Sequence, residues 1–493
     1  MTESSRPPAH GTDPRSILAG RASGRTPVGF IVVTAITAAC AIVALGIDAA
    51  QSVAAGAGAA PFAIALPLAL LPVPLLIAMV LWMDRLEPEP RANLAFAFGW
   101  GAGIAALTAL IVNTADLEYV TMPALGATTG EYVAATFGAP VVEETLKGLV
   151  LIGLLWRRRA EIDGPADGVI YAAMVGLGFA MIENVGYYMN ALVTPERGGI
   201  ALLGYTFVLR GLLSPLLHPI FTSMTGLGVA YSASRRRGAP WAVALGLLAA
   251  MVLHGTWNGL SLYGTAGLVC GYLIMGAVLV ALVAVLVADR RRMVRLIERY
   301  LPGYERTGLV AGDDIAMLAS LRARGAARTW ARSVGGLAAA SAMSDYQLAA
   351  TELALARAKA DRGLLDFNAF AGREHSLLTL MAAARHAFAR RVPGRAGLPP
   401  PPWAPTATAF AGQARLGRVH DQPSRPSRSP GRCRDSPCGR PASPGSGNPA
   451  ARRRRASHRL SRPAPPRPAR PAWPRTGRHP PRCRTSAARR RPG

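Results

Sequence analysis

Apolar residues gather in eight runs, at about 28–47, 62–83, 92–113, 134–156, 168–190, 205–233, 240–261 and 264–288. Each is close to or beyond the roughly 20 apolar residues that an α-helix needs to cross a bilayer. The pattern predicts an all-α fold, a polytopic transmembrane helix bundle of about eight spans, over residues 27–289. After Arg292 the chain turns amphipathic and rich in Ala, Arg and Leu, with helical periodicity around Asp313–Arg324 and Tyr346–Leu365. This predicts a small cytoplasmic helical region over 290–392. From 393 to 493 the chain is rich in Pro, Arg and Ser with no aliphatic period, so it reads as a disordered tail. Residues 1–26 are polar and read as a cytoplasmic segment without a removable signal peptide.

Charge gives the bundle an orientation. The formal net charge is +27, yet the stretch from Arg395 to the end holds 23 Arg against two Asp, which is 23 − 2 = +21. The rest carries 27 − 21 = +6. Basic residues mark alternate loops: Arg85 and Arg91, Arg157 to Arg159, Arg235 to Arg237, and Arg290 to Arg292. The loops between them carry Asp48, Asp116, Glu118 and Glu131, with Arg197 as the one cation. The positive-inside rule then places both termini in the cytoplasm of a multi-pass cell-membrane protein. The unbroken alternation favours eight spans over seven or nine. The run at 205–233 fits least well, because Arg210 lies in it. The five cysteines are split between apolar runs and tail and form neither a disulfide framework nor a zinc spacing. The tail's arginines do not imply a specific nucleic-acid partner; a solvated charge run explains them.

Polar groups inside apolar runs carry the chemistry. Glu143, Glu144 and Lys147 lie together in the fourth run, and Lys147 is one of only two lysines in the chain. Each such charge costs roughly 2.5–3.5 kcal/mol on insertion scales, which marks the group as a functional candidate. Glu143 and Lys147 share a helix face, whereas Glu144 points elsewhere, so the two carboxylates can differ in role. A self-neutralising Glu–Lys pair that locks packing is the plainer explanation. The fifth run carries Glu183 and Asn184. The sixth carries Arg210, Ser214, His218 and Thr222 at four-residue steps, and the seventh carries His254 and Asn258. Of eight histidines only His218 and His254 fall in apolar runs. Glu143 lies 14 residues before Arg157, Glu183 lies 16 after Asp167, His218 lies 17 before Arg235, and His254 lies 17 after Arg237. At about 1.5 Å per residue, all four sit roughly 20–25 Å from the arginine-lined surface, in one layer past the midplane. Small residues at Gly168, Ala172, Gly176 and Ala180 prepare one face of the fifth run for close helix approach.

Carboxylate with imidazole is equipment for activating water. Glu143 is the expected general base, Glu144 positions Lys147 or the water, and Lys147, His218 and Asn258 complete a catalytic set. Glu183, His218 and His254 form an alternative zinc set with a fourth position for water. The spacing is not His-Glu-x-x-His, so hydrolysis with or without Zn2+ stays open. Ser214 lacks a nucleophile-elbow context. A proton-coupled transporter using the Glu and His groups as a relay is the competing class; it would be expected to show an internal repeat of spans, and none is present.

Several of these motifs occur together in a known order. Glu143 to Lys147 reads Glu-Glu-x-x-Lys, Gly178 to Asn184 reads Gly-Phe-Ala-x-x-Glu-Asn, and His254 to Asn258 reads His-x-x-Trp-Asn. With His218, the Asp84-Arg85-Leu86-Glu87-Pro88-Glu89-Pro90 stretch and Asp167-Gly168-Val169-Ile170-Tyr171, the chain resembles the PrsW family of intramembrane proteases over about residues 80–289. That family is related to the CAAX prenyl endopeptidases and bacteriocin-processing enzymes, with Glu183 where those relatives have histidine. The resemblance implies cleavage of a single-span, anti-sigma-factor-like membrane protein, and catalytic roles for Glu143, Glu144 and His218.

Overall fold

The computed structural model describes residues 28–85, 88–159, 162–194 and 198–389. The expectations for the segment 1–26 and the tail 393–493 lie outside the described residues. The described chain is helical throughout, as the hydrophobic pattern predicts. Its elements are α1 (Val28–Ala54), α2 (Ala60–Met83), α3 (Arg91–Leu125), α4 (Ala139–Arg158) and α5 (Pro165–Val193). They continue with α6 (Ile200–Ala233), α7 (Pro240–Ser261), α8 (Gly264–Tyr300), α9 (Gly312–Leu318), α10 (Leu321–Asp361) and α11 (Phe367–Ala389).

Proline sets several starts. Pro61, Pro140, Pro165 and Pro240 occupy the first turns of α2, α4, α5 and α7, where the missing N–H costs nothing. Asp167, expected at the inner end of the fifth run, closes the first turn of α5. Its Oδ2 accepts from the amides of Gly164 at 2.8 Å and Asp163 at 2.5 Å. Seven described helices are long and apolar enough to cross a membrane: α1, α2, α3, α5, α6, α7 and α8. The eighth expected run is present as the 20-residue α4, but Glu143, Glu144 and Lys147 interrupt its apolar character. Asp48 departs from expectation. The sequence places it in an outer loop, whereas α1 runs on to Ala54 and buries Asp48 within the bundle.

α5 is the central post. Its most apolar window is 89% buried, against at most 39% for the other spans. The small-residue stripe explains why α6 can lie so close. A Cβ at Gly168 would stand 2.2 Å from the Gly226 carbonyl oxygen, and one at Gly176 would stand 2.5 Å from the Pro219 nitrogen. α6 is not one continuous α-helix. It passes through a π-helical stretch, Phe207–Leu213, breaks at Ser214, and restarts as Leu217–Ala233. Pro215 and Pro219 remove two amide donors there, which favours the interruption. Beyond the apolar part of α8, helices α9 to α11 share their own core around Ile297, Leu318, Tyr346, Leu353, Leu377 and Met381. Lys359 of this module pairs with Asp163 at the arginine-lined end of the bundle.

A buried carboxylate–imidazole–lysine candidate active site

α4 supplies three of the side chains. Glu144 and Lys147 are fully buried, and Glu143 is nearly so. The Lys147 ammonium donates to Glu144 Oε1 at 2.8 Å and to Glu143 Oε2 at 3.2 Å. It also meets His218 Nδ1 at 2.9 Å and stands 3.8 Å above the centre of the Phe179 ring. An ammonium has donors and no acceptor, so His218 Nδ1 accepts. His218 Nε2 then carries the proton and donates to Glu183 Oε2 at 2.8 Å. Glu183 is anchored from behind by the Arg210 guanidinium, whose Nε also donates to Asn184 Oδ1 at 2.8 Å. Arg210 stacks over Tyr187 with 3.6 Å to the ring centre.

His254 arrives from α7. Its Nδ1 lies 3.1 Å from Glu144 Oε1, and since a carboxylate only accepts, this nitrogen carries the proton. Thr222 donates to the other oxygen of Glu144 at 3.0 Å. Glu144 therefore has three donors on its two oxygens. Glu143 is less saturated: Asn113 donates to Oε1 at 3.2 Å, and Lys147 supplies Oε2 at the same length. The bare His254 Nε2 faces Glu143 Oε2 across 3.9 Å. Two acceptors that face each other at this spacing call for a donor or a cation between them. Asn113 Oδ1, buried beside them, has no hydrogen-bond partner among the described residues.

The structure thus brings together Glu143, Glu144, Lys147, Glu183, His218 and His254. Asn258 does not join them: its amide donates to the Ala135 carbonyl at 2.9 Å and ties α7 to the turns that precede α4. Ser214 also departs from the four-residue stripe, because the break in α6 turns it to Tyr272 Oη at 2.7 Å. Arg210 is a functional candidate that the sequence disguised as a blemish in a span. Asn113 was missed; its signal is a lone amide near the end of an apolar run. Asp84 and Glu89 of the first motif form a separate cluster with Asp167 and Tyr171 of the second, at the opposite end of α5. There Glu89 accepts from Tyr171 Oη at 2.7 Å, and the Glu89 amide donates to Asp84 Oδ2 at 2.8 Å. Burial pushes the Asp84 carboxyl up to about 7, against the pull of that amide. Burial, then repulsion by Asp167, holds Glu89 well above the usual carboxylate range.

Comparison with known proteins bears directly on this arrangement. Residues 89–287 match the family described as PrsW family intramembrane metalloprotease. The resemblance drawn from the sequence motifs therefore holds. The PrsW-like segment contains α3 to α7 and every side chain of the buried cluster. Protease PrsW of Geobacillus kaustophilus is 30% identical over 149 residues, 30% of this chain and 59% of that protein. Protease PrsW of Oceanobacillus iheyensis is 29% identical over 127 residues, and that of Bacillus subtilis 28% over 131. Each of these two matches covers 26% of this chain and 54% of the relative. The chain thus spans a little over half the length of the PrsW relatives it matches. No solved structure matches.

The PrsW description implies a metal, and the donor chemistry here fits one. Glu143, His218 and His254 offer one carboxylate and two imidazole donors within 4.8 Å of one another. That is a set suited to zinc with one position left open. It differs from the expected set in one member: Glu143 replaces Glu183, which holds His218 from behind. Glu144 on His254 Nδ1 and Glu183 on His218 Nε2 are the carboxylates that orient imidazole ligands. Lys147 touches two of the three donors, so its ammonium and a metal ion compete for the same negative charge.

Proposed function

We propose that the protein is an intramembrane endopeptidase that hydrolyses a single-span, anti-sigma-factor-like membrane protein near the outer end of its transmembrane helix. The observation that carries this reading is the 3.9 Å approach of Glu143 Oε2 to His254 Nε2, two buried acceptors that face each other. A water between them would donate one hydrogen to each. Glu143 takes the proton as the water attacks a peptide carbonyl, and the carboxyl then returns it to the leaving amine. Glu144, saturated by three donors, positions rather than reacts. It fixes His254 in the tautomer that leaves Nε2 bare. Lys147 balances the carboxylates and stands near enough to stabilise negative charge on a carbonyl oxygen. Arg210 and Glu183 hold His218 in its tautomer. Where Zn2+ is bound, Glu143, His218 and His254 would hold it, and it would supply Lewis acidity and a more acidic water.

The depth of the cluster supports the outer cleavage position. Opening a substrate helix within lipid leaves peptide groups unsatisfied, so the least costly bond lies near the helix end. The orientation with both termini cytoplasmic rests on the arginine loops. The test is incubation of the purified protein with a panel of single-span substrates, with product termini read by mass spectrometry. Cuts near the outer helix end, lost in Glu143→Gln, are expected. Cuts on the cytoplasmic side would sink the orientation, and wild-type turnover in Glu143→Gln would sink the water-activation role. Proton-coupled transport without any cleavage would favour the relay.

A further inference from the structure

A second concavity lies far from the carboxylate–imidazole cluster, at the arginine-lined end of the bundle. It has a volume of about 260 Å3 and is walled by Arg159 after α4, Arg236 after α6, Arg292 of α8, and Lys359 and Arg362 at the end of α10. Asp163 is the one acid among the described lining residues. We infer that this cavity seats the phosphate of an anionic lipid headgroup, a site independent of the proposed hydrolysis.

Charge is the first argument. Lys359 is matched by Asp163, and Arg292 is anchored by Asp289 at 2.7 Å and by the Asp163 carbonyl at 3.0 Å. Arg159 donates to the carbonyls of Ala233 and Ser232, each at 3.2 Å, and to that of Arg235, which fixes its position without cancelling its charge. Arg236 and Arg362 are exposed and, among the described residues, have no acceptor. The cavity therefore combines an immobilised guanidinium with two uncommitted ones. Arginine forks match phosphate oxygens in pairs.

Origin is the second argument. Topology alone explains arginines in the loops after α4 and α6. It does not call for Lys359 and Arg362, which belong to α10, a helix outside the membrane spans. Nor does topology build a concave wall; Leu355, Leu364 and Leu365 of the terminal module line it with apolar surface. A free phosphate has no use for that surface, whereas the glycerol end of a lipid does.

Level is the third argument. Trp156 and Trp241 are largely exposed near the ends of α4 and α7 that flank the cavity, and the Tyr231 ring packs edge-on to Trp241 at 5.5 Å. Exposed Trp and Tyr collect at the headgroup layer. Basic pockets between spans at that level are where anionic headgroups are bound.

The test uses the full chain in detergent, stripped of lipid and titrated with phosphatidylglycerol, phosphatidylcholine or inorganic phosphate. Native mass spectrometry counts the lipid retained, and thermal shift reports phosphate binding. We expect one retained phosphatidylglycerol, little phosphatidylcholine, and about a tenfold loss of retention in Arg236→Gln/Arg362→Gln. Arg157→Gln/Arg290→Gln removes the same charge from exposed positions outside the cavity and should retain lipid as the wild type does. Stabilisation by inorganic phosphate alone, lost in the cavity variant, supports the anion site with a soluble source. Equal retention of both lipids with no phosphate shift, undiminished retention in the cavity variant, or equal loss in the control would each overturn the inference.

Discussion

Among single residues, the two glutamates of α4 divide the work by how well each is satisfied. Glu144 accepts from Lys147, His254 and Thr222. Glu143 keeps an oxygen facing His254 Nε2. Glu143→Gln is therefore expected to lower turnover by about 10²–10⁴, the range of a general base, with little change in thermal midpoint. Glu144→Gln should cut turnover and also lower the midpoint, because an amide cannot accept from three donors at once. Turnover and thermal unfolding measured on both variants separate the roles. Lys147→Met strips the counter-charge from two buried carboxylates and is expected to cost about 3–5 kcal/mol, seen as loss of folded protein in detergent. The sequence disclosed these residues because charges in apolar runs are rare. It could not disclose their partners: only folding shows that Arg210 clamps Glu183 and that Asn258 turns away to Ala135.

For the helices, the period of the apolar pattern located every described span, though not the full length of each, and the internal breaks escaped it. A π-helical stretch and a restart in α6 leave no trace in hydropathy, since Phe207–Leu213 is as apolar as its flanks apart from Arg210. The small-residue stripe, by contrast, was legible, and it has a measurable function. Gly176 lets α6 approach until the Pro219 nitrogen lies 2.5 Å from where a Cβ would be, one residue from His218. Gly176→Val should push His218 out of reach of Lys147 and abolish activity. Gly153→Val on α4, with open space around its Cβ position, is the control and should be active. A second prediction concerns the link between α2 and α3. A carboxyl raised from 3.8 to about 7 binds its proton more tightly in the folded state. The stability that Asp84 contributes is thus complete below about pH 4 and is lost as pH rises to about 7. The loss is at most about 1.4 kcal/mol per pH unit. The thermal midpoint in detergent should fall across this window, and Asp84→Asn, which keeps an acceptor for the Glu89 amide, should flatten the fall. A slope unchanged in that variant would assign the effect to other groups.

For the whole molecule, the bundle and the terminal module are joined at a polar seam, with Lys359 on Asp163 and Arg292 on both Asp289 and the Asp163 carbonyl. Composition indicated two regions but not the seam, because its members are far apart in the chain and each reads as an ordinary surface charge. Activity is expected to depend on residues up to the end of α11 and not on the Pro/Arg-rich remainder. A chain ending near Pro393 should cleave substrate as the full chain does, measured in cells by loss of intact substrate; loss of activity with normal membrane insertion would give the remainder a role.

The ion pairs inside α4 also bear on how such a protein is made. His218 follows Lys147 by 71 residues, and His254 follows Glu144 by 110. At roughly 5–20 residues per second of synthesis, His218 emerges on the order of 4–14 s after the lysine. Throughout that interval the two glutamates have no imidazole to lean on. Lys147, three and four residues away on the same helix, is already there. The lysine is a counter-ion that travels with its helix, so α4 can wait in the nascent bundle as a nearly neutral rod until the later spans arrive.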